Sequence, residues 1–147
     1  MLSPCDGEII SIKQDDEKKI MALNISRLKH YGIRMPFTGT ISNYYETKEK
    51  VFTLGRFIVY KYNSSLELRS EELGKVHLLF SGIGSLKRAK IWVRSGDNAT
   101  LGAYLGYLPF GGKVVIEFAK ELNILIKEKD SLLSAETLLI SKGKDNV

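Results

Sequence analysis

The 147-residue sequence predicts a mainly β fold, a twisted sandwich or barrel of short strands with one or two short helices. Three observations carry this. Apolar residues recur at period 2 in short segments, the spacing that puts one face of a strand in a core. Glycine-bearing turns separate those segments. Only two stretches open in the way a helix does.

The elements follow in order. Ile10 and Ile12 face Ile20, Ala22 and Leu23 across a polar stretch, Lys13 to Lys19, which predicts a hairpin. Thr40-Ile41, Phe57 to Tyr62, Val76 to Phe80, Ala89 to Arg94, Lys113 to Phe118 and Asn123 to Ile126 each read as a strand. Turns are marked at Asp6-Gly7, Thr38-Gly39, Leu54-Gly55, Gly82-Ile83-Gly84, Ser95-Gly96-Asp97 and Phe110-Gly111-Gly112. The helix candidates are Ser26 to Tyr31, capped by Ser26, and Ser65 to Leu73, which begins on serine and is rich in Glu. No Pro/Gly/Ser-rich linker divides the chain, so residues 1–140 read as one domain, with 141–147 a polar tail.

Composition narrows the classes of function. One cysteine, Cys5, excludes an internal disulfide and a multi-thiolate metal site. His30 and His77 are far apart in sequence, and no metal is expected. No apolar run approaches the roughly 18 residues that span a bilayer, and Met1 opens onto SPCDGEIISI without a signal-peptide pattern. The expectation is a cytoplasmic chain, at most peripheral to a membrane. The net charge of +5 is uneven: residues 1–73 carry 11 Lys/Arg against 10 Asp/Glu, residues 74–147 carry 11 against 7. Five bases and no acid lie between Lys75 and Gly96, which favours an anionic partner.

Two segments echo each other: Pro4-Cys5-Asp6-Gly7-Glu8-Ile9 and Pro36-Phe37-Thr38-Gly39-Thr40-Ile41 share the form Pro-x-x-Gly-x-Ile. Proline fixes an extended entry, glycine permits a tight turn, and an apolar alternation begins. The form is similar to the element opening each half of a biotinyl or lipoyl-type sandwich, which implies two hammerhead-like units. A swinging-arm carrier is not implied, because the sequence has neither Met-Lys-Met nor Asp-Lys-Ala.

Four motifs in order, Ser3-Pro4-Cys5-Asp6-Gly7, Arg34-Met35-Pro36-Phe37-Thr38-Gly39, Leu54-Gly55-Arg56-Phe57 and Gly106-Tyr107-Leu108-Pro109-Phe110-Gly111-Gly112-Lys113, resemble the phosphatidylserine decarboxylases. The family patterns are SPxDG, HxxRxPxxG, a glycine followed by a base and Phe, and FGST or FGGST before an apolar strand. The resemblance runs from Ser3 to about Ile140. It implies a chemistry in which an internal serine attacks the carbonyl before it, an N-to-O acyl shift and β-elimination cut the chain, and the serine becomes a pyruvoyl group. That keto group takes the substrate amine as a Schiff base and accepts the electrons released with carbon dioxide. An Asp and a His assist.

Matched residue by residue, Asp6 is retained, Tyr31 stands where the histidine belongs with His30 beside it, and Gly112 stands at the serine, followed by Lys113. A phenol titrates near 10 and is no base at neutral pH; glycine has no hydroxyl to attack or to become a pyruvoyl. The resemblance with these losses implies a decarboxylase-like protein of phospholipid metabolism that is not self-processed, has no pyruvoyl cofactor and is inactive as a pyruvoyl enzyme. Asp6, Arg34, Gly111, Gly112 and Lys113 are then the candidates for an anionic headgroup pocket, with the Lys113 ammonium pairing a carboxylate or phosphate. Read without the resemblance, Asp6 is a turn residue bonding backbone amides, Lys113 a strand-end lysine in solvent, and Cys5 a small buried filler.

Two other readings stand beside this one. One is an active decarboxylase using another serine, Ser81, Ser85 or Ser95, or a bound cofactor. The other is a non-enzymatic binding module. Arg88, Lys90, Trp92 and Arg94 alternate with Ala89, Ile91 and Val93, giving a basic face with one tryptophan. Such a face suits an anionic membrane surface, with single-stranded nucleic acid the less expected partner. The resemblance also implies pairing of two copies through sheet faces or edges.

Overall fold

The computed structural model describes residues 1–25, 32–84 and 88–142. Its strands are β1 (Gly7–Gln14), β2 (Lys18–Ile25), β3 (Gly32–Arg34), β4 (Gly39–Leu54), β5 (Phe57–Ser70), β6 (Gly74–Ile83) and β7 (Lys90–Ile91), then β8 (Asn98–Ala99), β9 (Tyr104–Tyr107), β10 (Gly112–Ala119), β11 (Asn123–Ile124), β12 (Ser131–Leu132) and β13 (Ile140–Ser141). An eight-stranded antiparallel sheet runs β12-β1-β2-β10-β6-β5-β4-β8, beside a three-stranded sheet β3-β9-β7 and the pair β11-β13. The fold is mainly β, as the alternation predicts. The large sheet is open, ending on β12 and β8, so the barrel alternative does not apply.

The core follows from register. Met21, Ile116, Leu78 and Leu66 lie opposite one another across β2, β10, β6 and β5, and all four are fully buried. Leu23, Val114 and Phe80 form the next buried row. Ile33 and Leu105 of the small sheet, together with Leu132, Leu139 and Ile140 from the C-terminal segments, belong to the same apolar cluster. Leu2 bridges to Leu138, and the Met1 ammonium donates to the carbonyl of Ile140 at 2.7 Å, so the two ends of the described chain meet.

The first hairpin forms as predicted with a shorter loop, Asp15 to Glu17. Asp15 Oδ1 accepts from the amides of Glu17 and Lys18, both at 2.8 Å, and closes it as an Asx turn. The Pro-x-x-Gly echo is structural. Gly7 and Gly39 each open a long strand, and at each the backbone of the neighbouring strand passes close by: a Cβ would lie 2.3 Å from Asn24 O at Gly7 and 2.0 Å from Arg69 O at Gly39.

Four expectations are corrected or extended. Ser65 to Leu73 is not a helix: β5 runs to Ser70, and Ser70 Oγ then accepts from the amides of Glu72 and Leu73 in a turn. Pairing with β6 buries Leu66 and Leu68 and overrides the local glutamates. The strand seen at Thr40-Ile41 extends to Leu54. Ala89 to Arg94 contributes only Lys90–Ile91 to a sheet. Ser141, expected in the tail, pairs with Asn123. The other helix candidate, Ser26 to Tyr31, lies outside the described residues, as does 143–147.

The outer face of the sheet holds one buried carboxylate, Glu67. Ser42 Oγ donates to it at 2.9 Å, and Arg69, Lys75 and His77 stand at 3.5, 3.6 and 3.8 Å. Burial alone would raise its pKa; the Ser42 bond and the charges of Lys75, His77 and Arg69 outweigh it and hold Glu67 below the usual carboxylate range. A depressed folded pKa contributes stability above the unfolded value near 4.3, and that contribution is lost as pH falls toward the folded pKa. Glu67→Gln is therefore expected to melt a few degrees lower at pH 7 and to lose less Tm than the parent between pH 5 and pH 3. Parallel acid limbs in thermal melts would refute this.

Candidate functional site

Asp6 and Gly112, from the first and last motifs, come to one end of three strands. Glu8 pairs with Asn24 on one side of β2, and Gly112 pairs with Ile25 on the other. Asp6, Gly7, Ile25 and Gly112 thus crowd the same end of β1, β2 and β10, with Asp6 and Gly112 two strand spacings apart, on the order of 10 Å. Ile25 is the last described residue before 26–31, so Tyr31 and His30 lie outside the described residues.

Asp6 is committed to the fold. Its Oδ1 accepts from the amide of Ser134 at 2.6 Å, pinning the C-terminal loop to the first turn. Cys5 beside it is fully buried, and burial first, then the Asp6 charge, pushes its thiol up to about 12, which leaves no thiolate at neutral pH.

Gly112 opens β10 directly after a turn in which Gly111 N–H donates to Leu108 O at 3.1 Å. Phe110, Gly111 and Gly112 have φ of 61, 74 and 137°, three consecutive positive values that only glycine accommodates without strain at the last two. A Cβ on Gly112 would sit 3.1 Å from Leu108 Cδ2, the movable end of a side chain. The backbone, more than the available space, is what resists a larger residue here.

Lys113 points the other way, onto the outer face. Register aligns Asn24, Lys113, Ser81, Asn63 and Thr47 in a polar row over five strands. Lys113 lines a groove of about 340 Å³ with Thr47, Lys61, Asn63, Ser81 and the apolar floor of Leu79 and Val115. No ion pair engages Lys113 or Lys61 among the described residues. Two ammonium groups beside hydroxyls and an amide make a groove that suits a carboxylate or phosphate. Lys61 and Asn63 were missed in the sequence because only the pairing of β5 with β6 brings them beside Lys113.

Arg34 belongs to a third place, the small sheet. Its guanidinium donates to Tyr104 Oη at 2.7 Å and lies 4.5 Å from that ring's centre, while its Nε is buried without a hydrogen-bond partner among the described residues. Trp92 packs against Tyr104 and Tyr107, at 6.5 and 5.7 Å between ring centres. Arg88, Lys90, Trp92 and Arg94 are exposed and alternate with the more buried Ala89, Ile91 and Val93. Arg88 pairs with Glu46 and lies over Tyr62, which leaves Lys90 and Arg94 as the outward charges around Trp92. Of the five residues expected around one pocket, Asp6, Arg34, Gly111 and Gly112 do not line the Lys113 groove. Of the alternative serines, Ser81 lies in that groove, Ser95 Oγ accepts from the amide of Tyr44, and Ser85 is outside the described residues.

Seven curated proteins match the chain, all named phosphatidylserine decarboxylase proenzyme. That of Wolbachia pipientis wMel is 25% identical over 167 residues, covering 100% of this chain and 70% of its own. That of Ehrlichia canis is 27% identical over 153 residues, covering 93% and 65%. The Wolbachia of Brugia malayi has one that is 23% identical over 165 residues, covering 99% and 69%. These matches, at 20–27% identity over most of the chain, support reading it as a divergent relative of the phosphatidylserine decarboxylases. It spans about two thirds of the length of these relatives. No family model and no solved structure matches it. Gly112, the position that the motif resemblance sets against the family's serine, has no side-chain hydroxyl.

Proposed function

We propose that this phosphatidylserine decarboxylase relative serves phospholipid metabolism without self-cleavage or pyruvoyl catalysis, and that it holds an anionic lipid headgroup in the groove beside Lys113. The observation that carries the first half is Gly112: the position has neither the hydroxyl for an N-to-O acyl shift nor a φ that a serine adopts without strain. Asp6, the retained member of the family's motif, is spent on the Ser134 amide. The groove is supported by two ammonium groups without an ion-pair partner among the described residues and a row of hydroxyl and amide side chains over an apolar floor.

Intact mass of the purified chain is expected to show one species at 16.5 kDa, and phosphatidylserine vesicles are expected to yield no phosphatidylethanolamine. Two fragments, or carbon dioxide release, would overturn the reading and favour the active alternative. For the groove, Lys113→Glu is expected to weaken binding of short-chain phosphatidylserine at least about tenfold, the scale of replacing a charge-assisted contact by repulsion. A second reading, a basic binding module, is favoured by the exposed Lys90–Trp92–Arg94 face. Loss of binding in Lys90→Glu/Arg94→Glu with Lys113→Glu unaffected selects it.

A further inference from the structure

β4 and β5 outrun the rest of the sheet. The last pair joining β5 to β6 is Lys61 with Ile83, and Gly84 N–H still reaches Tyr60 O at 2.8 Å. Beyond this point, among the described residues, Phe52 to Leu54 pair only with Phe57 to Val59, closed by a two-residue loop in which Gly55 takes φ of 57°. Val51 to Leu54 of β4 and Phe57 to Val59 of β5 project, on the order of 10–14 Å at the rise of an extended chain.

The side chains on this finger are not those of a solvated ribbon. Val51, Phe52, Leu54, Phe57 and Ile58 are all exposed, Leu54 at 62% and Phe57 at 78%. Phe52, Leu54, Phe57 and Val59 share one face, since Leu54 pairs with Phe57 and Phe52 with Val59. A two-stranded ribbon is marginal in water, and clustered apolar side chains on one mark a contact surface. Charge surrounds the cluster: Lys48, Lys50, Arg56 and Lys61 against Glu49 alone. Tyr60, with Lys48 4.8 Å from its ring centre, and the exposed Tyr45 stand below the apolar end.

The sequence of chemistries from the tip downward is apolar, then basic and phenolic. That is the gradient of an anionic bilayer read from acyl chains to headgroups, where Tyr and Lys favour the interface and Arg56 can extend its guanidinium to phosphate. A second copy is a poorer occupant. Five side chains split over a narrow ribbon fall short of the roughly 800 Å² per partner of a stable dimer. The geometry points to the β4–β5 finger as a membrane-docking element that inserts its apolar tip into the outer layer of an anionic phospholipid surface. The apolar tip is separate from the headgroup groove, whose lining shares only Tyr45 and Lys61 with the basic and phenolic base of the finger.

The test is flotation of the whole chain with vesicles of phosphatidylcholine alone or with 30 mol % phosphatidylglycerol, the latter fraction on the order used to mimic anionic leaflets. The parent is expected to float with the anionic vesicles and to be released by high salt. Leu54→Ser/Phe57→Ser is expected to lose at least about tenfold in partitioning, from the apolar area it removes, while its melting temperature stays at the parent's because neither side chain is in the core. Phe57→Trp on a Trp92→Phe background is expected to shift its emission to shorter wavelength on adding anionic vesicles. Equal flotation of parent and variant, no spectral shift, or a dimer that the double substitution dissociates without any vesicle binding would each overturn the inference. Weakened short-chain lipid binding in Lys113→Glu with flotation intact would leave it standing, so the two failures are distinguishable.

Discussion

Leu78→Ala is expected to destabilise the chain by about 3–4 kcal/mol, a large share of the roughly 5–15 kcal/mol by which a domain is typically stable. Leu78 is fully buried on β6, facing Ile116 on one side and Leu66 on the other, themselves buried. Strands hold the backbone of Leu78 and its two neighbours in register, so the site cannot collapse around the missing atoms and the cavity cost adds to the lost transfer energy. The melting temperature should fall by about 10 °C or more. Leu79→Ala is the internal comparison: its side chain is half-buried on the outer face, and it should cost about 1 kcal/mol. Urea unfolding of the two variants measures the difference, and similar midpoints would mean that the core does not lie where this register puts it.

Gly39→Ala is expected to be as damaging, for a reason unrelated to hydrophobicity. Its Cβ would be placed 2.0 Å from the carbonyl oxygen of Arg69 and 3.1 Å from Phe37 Cε2. The first of these atoms is backbone, held by the Thr40–Arg69 pair, so relief requires β4 and β5 to part at the base of the long hairpin. A loss of about 3 kcal/mol or failure to accumulate folded protein is expected, at or above the usual cost of overpacking. Gly55→Ala supplies the contrast: nothing lies within 4 Å, and only the left-handed φ of 57° is at stake, about 1 kcal/mol. Equal stabilities for the two variants would show that the close approach at Gly39 is not real.

These two cases also mark what was legible in the sequence. Gly39 and Gly7 could be picked out because proline three residues earlier and an alternation just after each give a local signature. The alternation from Val76 to Phe80 likewise placed Leu78 on a buried face. The finger was only half visible. Phe57 to Tyr62 reads as a strand, but Thr47 to Lys50 does not, because a stretch exposed on both faces has no apolar period to display. The same absence of tertiary information made Ser65 to Leu73 look helical, when its pairing with β6 decides the matter. At the site, the motifs located Asp6 and Gly112 but not their surroundings. Ser134 is 128 residues from the carboxylate it binds, and Ser81 and Asn63 meet Lys113 only through register.

The position of β10 in the sheet bears on how the chain is made. Residues 112–119 fill the slot between β2 and β6, which no earlier strand occupies. A growing chain therefore carries two half-sheets, β1-β2 and β6-β5-β4, each with an open edge, until Ala119 has been synthesised and released. Such edges are where nascent chains pair with the wrong neighbour. The central strand is also the one whose entry the turn at Leu108 to Gly111 controls, so the strand that joins the two halves is made after every other strand of the sheet but the short edge strand β12.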